Sequence, residues 1–381
     1  MKDRTRREFL AAGGAALAAA PLAGRVLASA PYAPPPAPAA GTVGYCIVGL
    51  GRVSIGQFLP GLRYAPHARP TALVSRDPGI AAIIARRYGI EPRHIYNYAN
   101  FDRIADDPAI QAVYIALPNA LHAEYSIRAA RAGKHVLCEK PMAANSGQAE
   151  RMVEACRRAG RKLMIAYRCQ YEPATLRARQ VARSGELGPL QMITARYGFN
   201  ISPTFRLMGE TRPEWRLKRA LAGGGPLMDV GIYCLNAARF ISGQEPAALQ
   251  AEIGNTPGDA RFREVEENLS WSMRFASGLT AACATSYGAS LGESFELYGA
   301  RNASLRLDPA YGYSSHRLVA GGAAPRLDFT PDFSGHRQFG AEAEHFARCI
   351  LENREPRTPG EEGLRDMRLM ARIYAAAGVK G

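Results

Sequence analysis

Lysine is scarce in this chain. Its six copies, Lys2, Lys134, Lys140, Lys162, Lys218 and Lys380, leave arginine to carry nearly all of a net charge of +14. The arginines are scattered, and no basic run with interleaved aromatics occurs. That disfavours a nucleic-acid surface and fits a protein with an affinity for small anions. The seven cysteines contain no Cys-x-x-Cys pair, and their odd number cannot be fully paired within one chain, which argues against a disulfide scaffold. No metal site is expected. Long apolar runs are missing too, except Phe9 to Gly24 at the extreme N-terminus, so no internal membrane span is expected. Low complexity is confined to the ends, which excludes fibrous and disordered classes. What remains is an ordinary globular balance, 47% apolar against 22% charged, in 381 residues, enough for two domains or one large one.

The N-terminus reads as an address. Thr5-Arg6-Arg7-Glu8-Phe9-Leu10 matches the twin-arginine export pattern, and a weakly hydrophobic run then leads to the small-residue motif Ala28-Ser29-Ala30. A signal peptide over 1–30, export of the folded protein to the periplasm, and no membrane anchor after cleavage are therefore expected. Residues 31–42 form a proline-rich arm with polyproline II character, a spacer or a strap over another subunit of a homo-oligomer.

From Val43 the pattern alternates. Apolar runs at 44–48, 70–75, 111–117, 134–139 and 162–167 read as strands, and Ile80 to Tyr88, Leu121 to Ala132 and Ser146 to Ala159 read as helices between them. Right-handed βαβ units of this kind build a doubly wound parallel sheet, here over 43–166. Beyond about residue 185, strands at 190–199, 248–253, 267–275, 280–287 and 294–298 follow one another with few helices, apart from 227–241 and two C-terminal stretches, 340–351 and 362–377. The region 167–381 is thus expected to be α+β on a large open, mostly antiparallel sheet, and the whole chain α/β plus α+β.

Three stretches carry chemistry. The first strand runs into Gly49-Leu-Gly51-Arg-Val-Ser54, where two glycines permit a tight turn and close approach of backbone N–H groups to a pyrophosphate. Gly49, Leu50, Gly51 and Arg52 are assigned to a dinucleotide on that ground. At the end of the second strand, Ser75 and Arg76 favour the 2′-phosphate of NADP, with Asp77 as rival ligand of an unphosphorylated ribose. Strand ends at Leu117-Pro-Asn-Ala-Leu-His122 and Cys138-Glu-Lys140-Pro141 fall on the carboxyl edge of the parallel sheet, where ligands of such sheets bind. Finally, Gly223-Gly-Gly225-Pro-Leu-Met-Asp229-Val-Gly-Ile-Tyr233 opens a helix that carries Asp229 and Tyr233 on one face. Taken alone, each has a structural alternative: a turn, a solvated lysine, or a half-buried tyrosine below an acid that complements the helix dipole.

Together these motifs resemble the glucose-fructose oxidoreductase branch of the Gfo/Idh/MocA sugar and inositol dehydrogenase family. The likeness includes Leu163-Met-Ile-x-Tyr-Arg-Cys169, Trp215-Arg-Leu and Pro359-Gly-Glu-Glu-Gly363, and spans essentially the whole chain after the signal. Ile201 to Thr211 departs from the branch. The resemblance implies a Rossmann domain for NADP and a second domain for substrate. It also implies Lys140 and Tyr233 as a catalytic pair, with Asp229 near the substrate. Cofactor contacts would come from Pro118, Asn119, His122, Glu139, Lys140, Trp215 and Arg216, and sugar contacts from Tyr167, Arg168, Tyr171 and Asp229.

Oxidation of an aldose at C1 to a lactone requires a base for the hydroxyl proton, and a phenol with a pKa of about 10 needs help to serve. An ammonium about 4 Å away, at an effective dielectric of ~20, supplies about 4 kcal/mol, which makes Lys140 the expected helper. The expected activity is sugar-to-sugar oxidoreduction on tightly bound NADP. The alternatives are a dehydrogenase with exchangeable NADP, or a non-catalytic NADP-binding protein.

Overall fold

A computed structural model describes residues 41–333 and 335–379. The paired arginines, the Ala28-Ser29-Ala30 motif and the proline-rich stretch up to residue 40 lie outside them. Among the described residues no helix is long and apolar enough to cross a membrane.

The first half folds into six strands, β1 (Val43–Val48), β2 (Ala68–Val74), β3 (Ile95–Tyr96), β4 (Ala112–Ile115), β5 (His135–Glu139) and β6 (Leu163–Ala166). They pair in parallel in the order β3-β2-β1-β4-β5-β6. Their apolar runs are continuous because both faces are covered: Cys46, Val48, Val113 and Ile115 enter one core cluster, while Tyr45, Ile47, Ala112 and Tyr114 enter the other. The chain winds outward from β1 to β3 and then returns beside β1 with β4, so a crevice opens between the carboxyl ends of those two strands. The connecting helices start where the sequence provides caps. Asp77 accepts from the Ile80 N–H at 2.9 Å to open Pro78–Tyr88, and Asn145 accepts from the Gln148 N–H to open Ser146–Arg158.

The second sheet uses β7 (Leu190–Gly198), β10 (Pro246–Gly254), β11 (Asn268–Phe275), β12 (Thr280–Ser286), β13 (Gly292–Gly299), β14 (Ala303–Leu307), β15 (Leu318–Gly322) and β16 (Asp328–Phe329). Its order is β10-β11-β12-β7-β13-β14-β15-β16, antiparallel except for the β7–β12 pair. A separate hairpin, β8 (Thr204–Leu207) and β9 (Glu210–Pro213), projects from the segment that departs from the resembled branch. The short β3, β14, the short β15 and β16, this hairpin, and a helix over Pro173–Ser184 go beyond what the sequence pattern predicts. That helix hides behind its arginines, since its buried stripe is only Ala174, Thr175, Ala178 and Val181.

Both C-terminal helices return to the first sheet. Gly335–Leu351 covers one face with Phe339, Ala343 and Phe346, and the Tyr45 hydroxyl donates to the Ala343 carbonyl at 3.0 Å. Gly360–Ala376 packs on Ser146–Arg158 and β6, and also on the helix Ile232–Ser242. There Arg239, 3% exposed, pairs with the fully buried Asp366 and with Glu362 at 2.9 Å, and Asn236 donates to Asp366 at 2.9 Å. Removing one member of such a pair strands the other in the core. Asp366→Ala is expected to lower the free energy of urea unfolding by about 3–5 kcal/mol. A loss under ~1 kcal/mol, the range of exposed pairs, would show that the contact ties nothing together.

Candidate active site

A cleft of about 1690 Å³ runs between the sheets from the turn after β1 to Tyr233. At its outer end Gly49 has φ +94°, and a β-carbon there would lie 2.4 Å from the Ala116 carbonyl oxygen, so the turn against β4 admits only glycine. A β-carbon at Gly51 would meet nothing within 4 Å. Ser54, standing where a third glycine is usual, donates its hydroxyl to the Gly49 carbonyl at 2.6 Å and pins the turn to the helical segment that follows. Open backbone at the start of a helix, facing a roomy crevice, fits a pyrophosphate. Leu50 and Arg52 complete this wall.

Ser75 and Arg76 lie at the end of β2, on the same cleft. The Ser75 hydroxyl is engaged locally, donating to the Asp77 carbonyl at 3.1 Å and accepting from the Asp77 N–H at 3.0 Å. Asp77 itself is held by its capping bond to Ile80.

The next two strand ends are joined from behind. Buried His122 places its ring nitrogens 2.9 Å from the Pro141 carbonyl and 2.8 Å from that of Leu117, linking the loop after β5 to the loop after β4. Burial lowers its pKa to about 4, so at neutral pH the ring is uncharged and donates to one carbonyl at a time. Asn119, beside Pro118, donates to the Ala222 carbonyl at 2.8 Å and ties this edge to the glycine-rich loop. That loop has no room for side chains: a β-carbon on Gly223 would lie 2.4 Å from the Ala144 carbonyl oxygen. Glu139 accepts from the Tyr114 hydroxyl at 2.6 Å, and burial raises its pKa.

At the inner end the chain opens its helix with a wide π turn, Leu227–Gly231, before Ile232–Ser242. Asp229 and Tyr233 both face the cleft from it, and Lys140 reaches them together. The Lys140 Nζ donates to the Asp229 carbonyl at 2.7 Å, lies 3.3 Å from its Oδ1, and stands 4.5 Å from the centre of the Tyr233 ring. On the other carboxylate oxygen Asp229 meets Arg216 at 3.1 Å and accepts from the Tyr287 hydroxyl at 2.9 Å. Burial alone would raise the pKa of Asp229, but Arg216 and Lys140 outweigh it and hold the group at about 2. The carboxylate is therefore ionised, a charge anchor and not a proton carrier. Arg216 also pairs with Glu214 at 2.9 Å and lies over the Trp215 ring, which lines the cleft.

Tyr233 presents a phenol to the same cleft. Burial raises its pKa well above 10, and the first group to oppose that is Arg168, whose guanidinium lies 5.1 Å from the ring centre. Lys140 was the expected helper, but it approaches the ring face while committed to Asp229. Arg168, expected only at the border of a sugar site, is thus the cation that most favours the Tyr233 phenolate. Arg168 is buried and fixed by the Tyr311 and Gly312 carbonyls and by Gln338, at 2.9 Å to Gly312 and 2.6 Å to Gln338.

Among the residues expected at the site, Tyr167 and Tyr171 do not reach the cleft. Tyr167 is buried behind Tyr233 against a separate cavity of about 20 Å³. Tyr171 turns its hydroxyl to the Met164 sulfur, and its ring lies 5.3 Å from that of His345 on the covering helix. Of that short turn only Arg168 faces the cleft. Conversely, Tyr197, Tyr287, Tyr313 and Arg212 were missed. Tyr197 and Tyr313 line the cleft near Arg168, and strand alternation in β7 is the only sequence signal that singles out Tyr197.

Comparison with known proteins agrees with this geometry. Residues 43–167 match the model of an oxidoreductase family with an NAD-binding Rossmann fold, and residues 175–303 match the GFO/IDH/MocA C-terminal domain. The chain belongs to the GFO/IDH/MocA family. Among family members it is similar to an aldose-aldose oxidoreductase from Caulobacter crescentus, whose crystal structure holds glycerol. That match has 40% identity and a TM-score of 0.83, and covers 88% of this chain and 98% of that one. A D-xylose 1-dehydrogenase [NADP(+)] from Haloarcula marismortui is 33% identical over 88% of this chain and 91% of its own. A 3-ketoreductase from Actinomadura kijaniata, solved with NADP and TDP-benzene, shares the fold at a TM-score of 0.74 and 24% identity, over 88% of this chain and 98% of its own.

Tyr233→Phe is expected to leave nucleotide binding intact and to slow sugar oxidation by roughly 10²–10⁴, the usual loss when a general acid-base group goes. Arg168→Met removes a charge that favours the phenolate, so the rising limb of the oxidation rate against pH moves to higher pH. An unmoved limb in Arg168→Met would take that role from Arg168.

Proposed function

We propose that this protein oxidises an aldose at C1 to a lactone and passes the hydride to a second sugar carbonyl, keeping NADP bound between the two half-reactions. The observation that carries the reading is the cluster of Tyr233, Arg168, Lys140 and Asp229 at the inner end of a dinucleotide cleft. Similarity to an aldose-aldose oxidoreductase and to an NADP-dependent xylose dehydrogenase supports the substrate class.

The bound nucleotide would supply the hydride acceptor for one sugar and the donor for the next, held by the Gly49–Arg52 turn, Arg76, Asn119 and Trp215. The Tyr233 hydroxyl oxygen takes the proton from the aldose hydroxyl in one direction and returns it to the acceptor oxygen in the other. Arg168 favours its ionised form when it takes the proton, and burial favours its neutral form when it gives the proton up. Asp229, ionised throughout, keeps Lys140 and Arg216 in place. Tyr197 and Tyr313 offer aromatic walls suited to the apolar face of a pyranose.

Export to the periplasm, inferred from Arg6, Arg7 and Ala28-Ser29-Ala30, belongs to the same proposal and favours a retained cofactor, since that compartment has no nucleotide pool to exchange with. So does an oligomer strapped by the proline-rich arm. The test is gel filtration of the purified protein, followed by absorbance in the reduced-nicotinamide band on adding aldose. Stoichiometric reduction without added nucleotide, reversed by a second sugar, is expected. Protein that emerges nucleotide-free and works only in proportion to added NADP would instead favour the exchangeable dehydrogenase.

A further inference from the structure

The hairpin β8–β9 belongs to the second domain, yet one of its faces closes the cleft over the first. Its turn, Met208-Gly209, has positive φ at both residues (50° and 90°), the conformation that lets a two-residue loop follow strand twist. Phe205 pairs with Arg212 and Leu207 with Glu210 across the two strands, so these four side chains share a face, and all four line the cleft. Arg206 and Thr211 fall on the other face.

Contacts from this hairpin reach the dinucleotide wall at two separated places. Phe205 lies under the guanidinium of Arg52, 5.5 Å from its ring centre, beside the pyrophosphate turn. Arg212, its side chain 18% exposed, extends to Asp77 at 3.5 Å beyond the end of β2, and Glu210 steadies it at 2.7 Å. At the tip, Met208 packs on the first domain's apolar cluster that includes Leu50 and Ile80.

The ribose end therefore holds two guanidinium groups, Arg76 and Arg212. Burial and then Arg212 lower the pKa of Arg76, as expected of like charges confined together. Meanwhile the Ser75 hydroxyl, expected from sequence to donate to a 2′-phosphate, donates to the Asp77 carbonyl. Asp77 and Glu210 offset part of this positive charge; a phosphate dianion at this end would give both arginines a further anionic partner, and an unphosphorylated ribose would not.

We propose that Arg212 is a second cation for the 2′-phosphate of NADP, delivered by a hairpin that must swing away before the nucleotide can leave, so that one element sets both cofactor choice and cofactor retention. The inference rests on the NADP reading above.

The test uses full-length enzyme freed of nucleotide, with affinities for NADP and NAD and the release rate of NADPH measured in parallel for wild type, Arg76→Ala, Arg212→Ala, Arg212→Lys and Phe205→Ala. Arg212→Ala is expected to weaken NADP by roughly tenfold or more, as for a lost charged hydrogen bond, with NAD affinity nearly unchanged. Arg212→Lys should recover part of that loss. Phe205→Ala carries no charge change and is expected to speed release of NADPH while weakening NADP and NAD alike. If Arg76→Ala loses NADP selectively while Arg212→Ala loses both nucleotides equally or neither, the second-cation role is wrong and the NADP reading stands. If wild type shows no preference for NADP, or neither arginine variant alters it, both fail. Release rates unchanged in both Arg212→Ala and Phe205→Ala would overturn the latch.

Discussion

Asp229 carries a negative charge in a place where burial opposes it, and it keeps that charge because Lys140 and Arg216 reach it from different parts of the chain. Lys140 follows directly on β5 of the parallel sheet, Asp229 opens the helix after the glycine-rich loop, and Arg216 follows the hairpin. Buried ion pairs are costly to assemble and costlier to break, so their value lies in fixing one arrangement of the groups that meet there. Here the arrangement fixed is the approach of the two domains. With Asp229 ionised, the Lys140 ammonium is held over the Tyr233 ring and the indole of Trp215 is kept at the cleft by Arg216.

Around that anchor the site divides its labour. One carboxylate stays charged and one phenol stays neutral, since the same burial acts on both but only Asp229 has two cations within ion-pair distance. His122, set apart by its lowered pKa and its two carbonyl partners, braces the loops after β4 and β5 and holds no charge at neutral pH. The hairpin β8–β9 and the C-terminal helices then close the nucleotide end and the back of the sheet.

What was legible in the sequence was local. Gly49 and Gly51 follow directly on β1, Lys140 sits at a strand end in a chain nearly devoid of lysine, and Asp229 and Tyr233 are four residues apart on one helix. Such features are fixed by neighbours a few positions away. Tyr167 and Tyr171 were misplaced because the side of their turn that faces the cleft is decided by distant elements, with Gly335–Leu351 covering Tyr171. Arg168 was placed at the site, but its hold on Tyr233 depends on carbonyls more than a hundred residues further on. The hairpin escaped notice because its strands are four residues long and its Met-Gly turn lacks the usual asparagine or aspartate signal.

If the carboxylate of Asp229 acts on catalysis through Lys140, the two must behave as one unit. The measurement that tests this most directly is a double-mutant cycle of Lys140→Met and Asp229→Asn on the single-turnover rate of sugar oxidation by nucleotide-loaded enzyme. The account expects the double variant to be little slower than the Lys140→Met single variant, because the second change removes an anchor that no longer holds anything at the phenol. Losses that multiply, with the double variant slowed by the product of the two single effects, would contradict it.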